Sequence, residues 1–388
     1  MSSAWPRVLH VSPSFYPAAQ YGGPTTFLLR LVEELVRQGM SLDLVTTTAD
    51  GPTDLDVPVD RVVDVRGVPV RYYPITTRTP ADFSAGLTAR VLSTAGDYDL
   101  IHTNGLFNFT TNVVAVAARQ ARRPFVVSPC GSLSAGALAR KAWKKRAYLG
   151  ATGALGIGIQ RAAALHAMSH EEALGIHAAL PALPVFEVPG GVDIPEALPD
   201  APRTPRRVAF LGRLHEIKGF DVLVPALSRV NAAMPDVEAV FAGYDSGGEW
   251  AAIERLARAQ SPVPKLRFLG PVSGDDKLRF LAGASALALT SHTESFGMVV
   301  LEALACGTPV VATKSCPWPA LEEKRAGYWV DRTPEAVADA LLKVLGDPEA
   351  AAKMGAAGRA MAESYSWRAV GRSMAEQYAA IVERSRRR

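Results

Sequence analysis

The sequence has few cysteines, no long apolar run and no strong excess of one charge. Its three cysteines, Cys130, Cys306 and Cys316, form no CxxC or Cys/His spacing, which argues against a disulfide framework and a zinc site. The 42 basic and 38 acidic side chains give a net charge of +4, which is too small for a dedicated nucleic-acid binder. No apolar run reaches the ~18–20 residues of a spanning helix, and no signal core precedes the strand-like run Arg7–Ser12. We therefore expect a cytoplasmic protein.

Apolar residues alternate between strand and helix periodicity, and the alternation occurs twice. The 388 residues, at ~150 per domain, are enough for two to three domains. In the first half, Val8–Val11 predicts a strand and Thr25–Arg37 a helix that ends before Gly39. The pattern restarts with a strand at Arg207–Leu211 and a helix at Phe220–Asn231. Alternating strands and helices predict an α/β fold with two doubly wound parallel sheets.

The best domain boundary is the segment Pro189–Pro205, which is rich in proline, glycine and acidic residues. We predict one domain over residues 1–195 and a second over residues 206–365. The run Pro348–Arg384 is predicted to be largely helical. Ligands of such folds bind at the carboxyl ends of the strands, so a cleft between two sheets is the expected site. Further predicted strands are Leu42–Thr46, Leu100–His102, Phe125–Ser128, Leu165–Met168, Val237–Ala242, Leu266–Leu269, Ala286–Thr290 and Pro309–Thr313; further predicted helices are Glu249–Arg258, Asp275–Ala282, Gly297–Ala305 and Pro334–Leu345.

Two glutamates stand eight residues apart in the stretch Ser291–Pro309. Glu294 lies in the loop after a predicted strand, and Glu302 lies within the next predicted helix. The first amides of that helix, with the helix dipole, favour an anion. The alternative is an acidic cap and a solvated helix residue; Glu302 argues against it, because it interrupts the apolar run Met298–Leu304. The pair therefore predicts a site where one carboxylate lies near a sugar or phosphate and the other accepts hydroxyl hydrogen bonds.

Two further glycine-containing loops follow predicted strands. In the second half, Arg213 and Lys218 stand five residues apart around glycines, a spacing that can grip a diphosphate without a metal. In the first half, the stretch Tyr21-Gly22-Gly23-Pro24 allows a backbone to approach a phosphate closely. That stretch is not GxGxxG, so a plain turn with proline at the helix start is the alternative.

Taken together, these motifs resemble a family 4 glycosyltransferase of the GT-B fold along nearly the whole chain. The stretch Asp99–Gly105 is similar to the family's strand that ends in histidine, and Pro189–Asp193 is similar to its hinge. The paired glutamates are the most specific match. The stretch from Cys316 to Trp329 resembles a branch that builds bacterial surface polysaccharides.

The resemblance implies roles for the donor side. Arg213 and Lys218 would hold the diphosphate of a nucleotide sugar, and Glu302 would hold the ribose hydroxyls. Glu294 would bind hydroxyls of the donor sugar, helped by amides near Phe296, Gly297 and Met298. The backbone around Val272 would meet the base, and Gly22 and Gly23 would approach the diphosphate as the cleft closes.

The resemblance also implies the chemistry. Members of the family retain the anomeric configuration without a bound metal, and the leaving phosphate takes the acceptor proton. We therefore expect no cofactor and no metal site. The donor would be a UDP- or GDP-sugar, and the acceptor a glycan or a lipid-linked saccharide. The first domain would bind the acceptor, and residues 366–388 would cross back onto it as a final helix.

The acceptor side departs from the family pattern at two positions. Cys130 stands where relatives often have histidine, and Asn104 replaces the second histidine of the strand-end motif. His102 is a candidate for contact with either sugar, with a structural histidine as the alternative. A predicted helix around Lys144 mixes aromatic and cationic side chains, which suits contact with an anionic membrane; a solvated basic face is the alternative.

Rival functions make different demands on the sequence. A nucleotide-sugar epimerase or a phosphorylase of the same fold is one alternative, and the phosphorylase needs a lysine-bound cofactor that has no marker here. A nicotinamide-dependent oxidoreductase predicts a GxGxxG that neither half contains. A non-catalytic carbohydrate-binding module has no need of a phosphate grip. A glycosyltransferase, with the epimerase as alternative, is the prediction.

Overall fold

A computed structural model describes residues 5–18, 20, 23–78, 82–133, 138, 142–198, 206–245 and 247–387. The chain divides into two compact units. Unit 1 combines Met1–Gly191 with Trp367–Arg388, and unit 2 is the single segment Val192–Ser366. The first division falls inside the proline-rich segment Pro189–Pro205. Each unit is described separately because each has its own sheet.

Unit 1 is built on an eight-stranded sheet. Its strand order is β10-β9-β8-β7-β1-β2-β6-β5, and every neighbouring pair is parallel except β5 and β6. The central strand β1 is buried along its whole length, as expected for a parallel strand covered on both faces. The strands are β1 (Val8–Ser12), β2 (Leu42–Thr47), the short pair β3 (Ala49–Asp50) and β4 (Thr53–Asp54), β5 (Val62–Val65), β6 (Val68–Tyr73), β7 (Leu100–Asn104), β8 (Phe125–Ser128), β9 (Ala164–Ala167) and β10 (Val185–Glu187).

The helices of unit 1 cover this sheet with apolar stripes. The first begins at Gly23, two residues earlier than predicted, and buries Phe27, Leu31 and Leu35. Gly39 follows its end with a φ of +85°, the left-handed conformation that commonly terminates helices. The helices are α1 (Gly23–Arg37), α2 (Ala85–Thr94), α3 (Phe109–Ala121), α4 (Ala142–Ala154) and α5 (His170–Ala179).

Unit 2 has a six-stranded, fully parallel sheet. Its strand order is β13-β12-β11-β14-β15-β16. The strands are β11 (Arg207–Leu211), β12 (Glu238–Ala242), β13 (Leu266–Phe268), β14 (Ala286–Leu289), β15 (Val310–Thr313) and β16 (Gly327–Val330). The helices are α6 (Phe220–Ala233), α7 (Glu249–Arg258), α8 (Gly274–Ala282), α9 (Met298–Ala305), α10 (Ala320–Glu323), α11 (Pro334–Gly346) and α12 (Pro348–Glu363). The predicted α/β class with doubly wound sheets is confirmed.

The strand order reverses at one place in each sheet. In unit 1 the reversal lies between β1 and β7, and in unit 2 it lies between β11 and β14. At such a point the connections leave in opposite directions and open a crevice at the carboxyl ends of the strands. The loop after β11 holds Arg213 and Lys218, and the loop after β14 holds Glu294. The sheet topology of unit 2 therefore brings the predicted donor loops to one crevice.

The C-terminal helical run consists of two helices. Helix α12 ends at Glu363, and α13 (Trp367–Arg386) follows as part of unit 1. It packs on α1, where the side-chain amide of Gln38 donates to the carbonyl of Arg368 at 2.9 Å.

Strand β6 was not predicted because it contains Pro69, which lacks the N–H that a strand donates; the edge strand β5 was missed because it is half exposed.

Candidate functional site

The loops after β11 and β14 meet closely in unit 2. Gly219 has a φ of +74°, and a Cβ there would lie 2.0 Å from the carbonyl oxygen of Thr290. The Thr290 hydroxyl donates to the carbonyl of Lys218 at 3.1 Å, and the His292 amide donates to that of Ile217 at 2.8 Å. Only glycine permits this approach, so the glycine of the sequence motif fixes one loop against the other.

Lys218 and Glu294 form the central contact of the crevice. The Lys218 ammonium lies 2.6 Å from Glu294 Oε1, and the Ser291 hydroxyl donates to the same oxygen at 2.7 Å. Both charged side chains are largely buried, with 22% and 14% of their surface exposed. Sequence reasoning paired each residue with a substrate and missed that they bind each other. An ammonium has three protons, so Lys218 keeps donors for a second anion.

Arg213 lies at the start of the same loop and is exposed. Within the part of the chain that the structure describes, its guanidinium has neither an ion pair nor a hydrogen bond. A guanidinium is a strong bidentate donor to oxyanions. Arg213 therefore presents its donors to solvent from the loop that also holds Lys218.

Glu302 lies on α9 and is paired with a residue that the sequence did not indicate. Its Oε1 accepts a hydrogen bond from the Lys277 ammonium of α8 at 2.8 Å. Both side chains are about a quarter exposed, at 21% and 27%. Lys277 thus holds one carboxylate oxygen of Glu302, and the Glu302 side chain remains partly exposed to solvent. The sequence feature that could have indicated Lys277 is a cation near the start of the helix that follows the predicted base-binding segment.

The loop after β14 leads directly into the amino end of α9. Gly297 precedes the helix with a φ of +83°, and the Phe296 side chain is buried with 5% exposure. Met298 is the first helical residue, so its amide is among those without a helical partner. Val272 lies between β13 and α8 and is partly buried. The donor-side residues predicted in unit 2 thus lie in loops that follow strands of one sheet, and on the helix α9 that follows β14.

The histidine of the strand-end motif lies inside unit 1. His102 is completely buried; its Nδ1 lies 2.5 Å from the Tyr378 hydroxyl and its Nε2 lies 2.8 Å from the Ser128 hydroxyl. Ser128 also contacts Nδ1 of His166 at 2.7 Å. Burial, with the neighbouring His10 and His166 rings, holds the pKa of His102 well below its usual range. Both ring nitrogens are engaged, so this geometry favours the structural alternative over contact with a substrate.

The other acceptor-side candidates surround the ends of β7 and β8. The Asn104 amide nitrogen is buried and has no partner among the described residues. Cys130 has a φ of +51°, and its thiol donates to the carbonyl of Ser128 at 3.4 Å. Burial, together with the nearby Glu172 carboxylate, raises the pKa of this thiol to about 12. Cys130 is therefore a neutral group rather than a base.

Glu172 on α5 holds the Cys130 loop, and the sequence analysis missed it. Its Oε1 accepts from the Gly131 amide at 2.6 Å and its Oε2 accepts from the Met168 amide at 2.9 Å. Burial raises the pKa of this carboxyl, while the two amides act against that effect. The signal was the pattern Ser169-x-x-Glu172, which is typical of a helix start.

The basic helix α4 exposes an aromatic residue. Trp143 is 72% exposed, and the Lys144 ammonium lies 5.4 Å from its ring centre. Lys145 lies 5.1 Å from the ring centre of Phe107, in the loop that follows β7. No helix in the described part of the chain is long and apolar enough to cross a bilayer.

Two predictions concern the glycine loop of unit 1 and metal binding. Gly22 lies outside the described residues, and no described atom lies within 4 Å of a Cβ placed on Gly23. Among the described ranges, no group of three or more histidine, cysteine or acidic side chains is arranged to hold a metal ion.

Comparison with known proteins assigns a family to each half. Residues 22–191 match the family described as glycosyl transferase 4-like domain, and residues 197–361 match glycosyl transferases group 1. The D-inositol 3-phosphate glycosyltransferase of Segniliparus rotundus is 36% identical over 184 residues, which is 45% of this chain and only 40% of that relative. The protein of the same name from Mycolicibacterium paratuberculosis is 30% identical over 392 residues, covering 92% of this chain and 86% of the relative.

Solved structures show the same fold. Anabaena HepE in complex with UDP and glucose matches with a TM-score of 0.72 at 22% identity, covering 97% of this chain and 100% of that one. WaaG, a glycosyltransferase involved in lipopolysaccharide biosynthesis, matches with a TM-score of 0.70 at 15% identity, covering 96% and 99%. With the relatives above, these matches confirm the predicted family: the chain belongs to the family 4 glycosyltransferases and has their GT-B fold of two Rossmann-like domains.

Proposed function

We propose that this glycosyltransferase moves a hexosyl group from a UDP- or GDP-sugar to a glycan or lipid-linked saccharide, with retention of configuration and without a metal. The observation that carries the proposal is the 2.6 Å contact of Lys218 with Glu294, with the unpaired Arg213 in the same loop as Lys218. UDP and glucose in the Anabaena structure support the donor class. The role of WaaG in lipopolysaccharide biosynthesis and the motif from Cys316 to Trp329 support a role in building surface polysaccharide.

In this proposal, Arg213 and Lys218 hold the donor diphosphate. Arg213 offers a planar set of N–H groups to phosphate oxygens, and Lys218 offers the protons that Glu294 does not use. Glu294 holds the Lys218 charge in place before the donor binds, which favours negative charge as it develops on the leaving group. Together they supply the positive charge that a magnesium ion supplies in other transferases.

The sugar and the nucleoside lie at opposite ends of that grip. Glu294 accepts hydrogen bonds from sugar hydroxyls, and the amides at Phe296, Gly297 and Met298 bind the same end of the donor. Glu302, held by Lys277 through one oxygen, accepts the ribose hydroxyls with the other. The backbone at Val272 meets the base, which explains why side chains alone do not reveal whether the base is uracil or guanine.

The reaction needs no side-chain base. The bond between the anomeric carbon and the diphosphate oxygen breaks, and a bond to the acceptor oxygen forms on the same face of the sugar. The acceptor proton passes to the leaving phosphate oxygen, so charge and atoms balance. Two observations agree with this route: both nitrogens of His102 are occupied, and the Cys130 thiol has a pKa of about 12.

Unit 1 is proposed to bind the acceptor, with Asn104 and Cys130 shaping its pocket and Gly22 and Gly23 leaving room for phosphate. The exposed Trp143 beside Lys144 suits the headgroup region of an anionic membrane, where a lipid-linked acceptor resides. We propose a cytoplasmic enzyme that contacts the inner membrane face peripherally.

Nucleotide release tests the function. The protein is first screened for thermal stabilisation by UDP, GDP and ADP, since a ligand at 100 Kd adds about 2.7 kcal/mol. UDP-glucose, GDP-mannose and related donors are then assayed with saccharide acceptors, and NMR reads the anomeric configuration of the product. Acceptor-dependent release of the nucleoside diphosphate with retention is expected. Conversion of the donor sugar to its epimer without acceptor identifies the alternative, a nucleotide-sugar epimerase.

A further inference from the structure

The loop after β15 braces the loop after β14 at two points. The Ser315 hydroxyl donates to the carbonyl of Ser291, and the indole N–H of Trp318 donates to the carbonyl of Phe296. These carbonyls lie on either side of Glu294. We call the pair Ser315 and Trp318 the brace, because it joins the stretch from Cys316 to Trp329 to the segment that carries the glutamate.

The Trp318 contact is buried and closely packed. Trp318 is 2% exposed and Phe296 is 5% exposed, and their ring centres lie 5.0 Å apart. A Cβ on Gly297 would lie 3.3 Å from both Trp318 Nε1 and Leu289 Cδ2. The loop is therefore confined between β14 and the indole ring. A buried carbonyl that loses its donor is costly to leave unpaired, so the loop would move to regain one.

The sequence around Trp318 makes the brace rigid. Pro317 and Pro319 flank it, and each proline ring fixes one backbone dihedral. The carbonyl of Cys316 accepts from the Trp318 amide at 2.8 Å and from the Trp329 indole at 2.8 Å. The motif therefore holds one indole N–H at a fixed place.

We propose that Trp318 is a positioning residue for the transfer step. It sets the direction of the Glu294 carboxylate and of the amides at Gly297 and Met298. The inference rests on the proposed function, in which this loop binds the donor sugar. Glu302 is held separately by Lys277, so the brace acts on the sugar end of the donor and not on the ribose end.

The test is Trp318→Phe, which keeps an aromatic ring and removes the N–H. The matched control is Trp250→Phe in the same unit, whose ring packs on Phe268. The donor is the one with the highest rate in the release assay, with UDP-glucose as the first probe. Calorimetry measures Kd for UDP and GDP, and steady-state kinetics measures kcat and KM.

We expect kcat of Trp318→Phe to fall about tenfold, while the Kd of the free nucleotide changes less than about twofold. Trp250→Phe should leave both unchanged. An unchanged kcat overturns the proposal, and so does an equal loss of nucleotide affinity, which indicates a general structural role. If Trp318→Phe does not fold, Ser315→Ala gives the same test with a smaller loss.

Glu294→Gln distinguishes a failure of the proposed function from a failure of the positioning role of Trp318. If Glu294→Gln leaves kcat unchanged, the proposed sugar role of Glu294 fails whatever Trp318 does. If Glu294→Gln lowers kcat and neither brace variant does, the proposed function stands and the positioning role of Trp318 is wrong.

Discussion

The hydroxyl of Tyr378 on α13 lies 2.5 Å from Nδ1 of His102 and 3.2 Å from Nε2 of His10. A helix near the end of the chain thus completes a polar network inside the sheet of unit 1. The network includes three buried imidazoles whose neutral forms are packed together, which makes this unit sensitive to acid.

The first prediction is therefore a loss of stability below neutral pH. Burial, with the nearby His166, lowers the pKa of His10 from 6.5 to about 3, and burial lowers that of His166 from 6.5 to about 4. Between these values and 6.5 the unfolded chain binds protons that the folded chain does not. The contribution of these neutral histidines to the free energy of unfolding is thus complete above pH 6.5 and declines as the pH falls towards 4. Urea unfolding from pH 7.5 to 5 measures it; a flat profile contradicts the assignment, and His170→Gln, an exposed position, is the control.

The second prediction concerns nucleotide affinity. Glu302→Ala should weaken binding of the free nucleotide by ~1.5–3 kcal/mol, because charge-assisted hydrogen bonds to the ribose hydroxyls are lost. Calorimetry with the nucleotide identified in the thermal screen measures the change. Glu323→Ala, an exposed glutamate on α10, should bind as the wild type does. Unchanged affinity in Glu302→Ala means that the ribose role is wrong.

The third prediction is metal independence. In the proposed mechanism, Arg213 and Lys218 supply the positive charge at the diphosphate, so turnover should survive an excess of chelator. The assay is nucleotide release with and without EDTA, after dialysis. Loss of turnover that manganese restores would count decisively against the proposed mechanism.

The fourth prediction concerns the thiol of Cys130. A pKa of about 12 leaves far less thiolate at pH 7 than the ordinary value of ~8.5 does. Iodoacetamide should therefore label Cys130 slowly, while Cys306 and Cys316 stay unlabelled because they are buried. Glu172→Gln should speed the labelling, since it removes a neighbouring carboxylate.

Activity provides the control for that experiment. Cys130→Ala should keep most of its turnover, because no base is needed at this position. If Cys130→Ala abolishes turnover while nucleotide binding and folding stay normal, the thiol has a chemical role.

The fifth prediction tests membrane contact. Replacing Lys144, Lys145 and Arg146 together by glutamine should reduce binding to anionic vesicles in a sedimentation assay and leave turnover of a soluble acceptor analogue intact. Replacing Arg384, Arg386 and Arg387 by glutamine also removes three positive charges, at the end of α13 and one residue beyond it, and should not reduce binding. Equal binding by the first variant and the wild type leaves only the solvated-face interpretation.

The sequence predicted the two sheets because parallel strands are apolar along their whole length and helices carry one apolar stripe. It located the donor loops because glycines and charges at strand ends are local patterns. It did not predict the Lys277 partner of Glu302 or the Glu172 support of Cys130, because those contacts join segments that only the fold brings together. The same reason applies to His102. Its position at a strand end was evident from the sequence, but Tyr378 and Ser128, whose hydroxyls contact its ring nitrogens, are distant in sequence.

The two ends of unit 2 lie next to each other. The Val192 amide donates to the carbonyl of Tyr365 at 2.8 Å, and Val192 is bridged to Ser366. The segment is therefore an insert whose two ends are adjacent, the arrangement in which a domain is most readily exchanged. Exchange between relatives at these two junctions would transplant the whole of unit 2 and leave unit 1 intact; under the proposed function, such an exchange changes the nucleotide sugar without changing the acceptor.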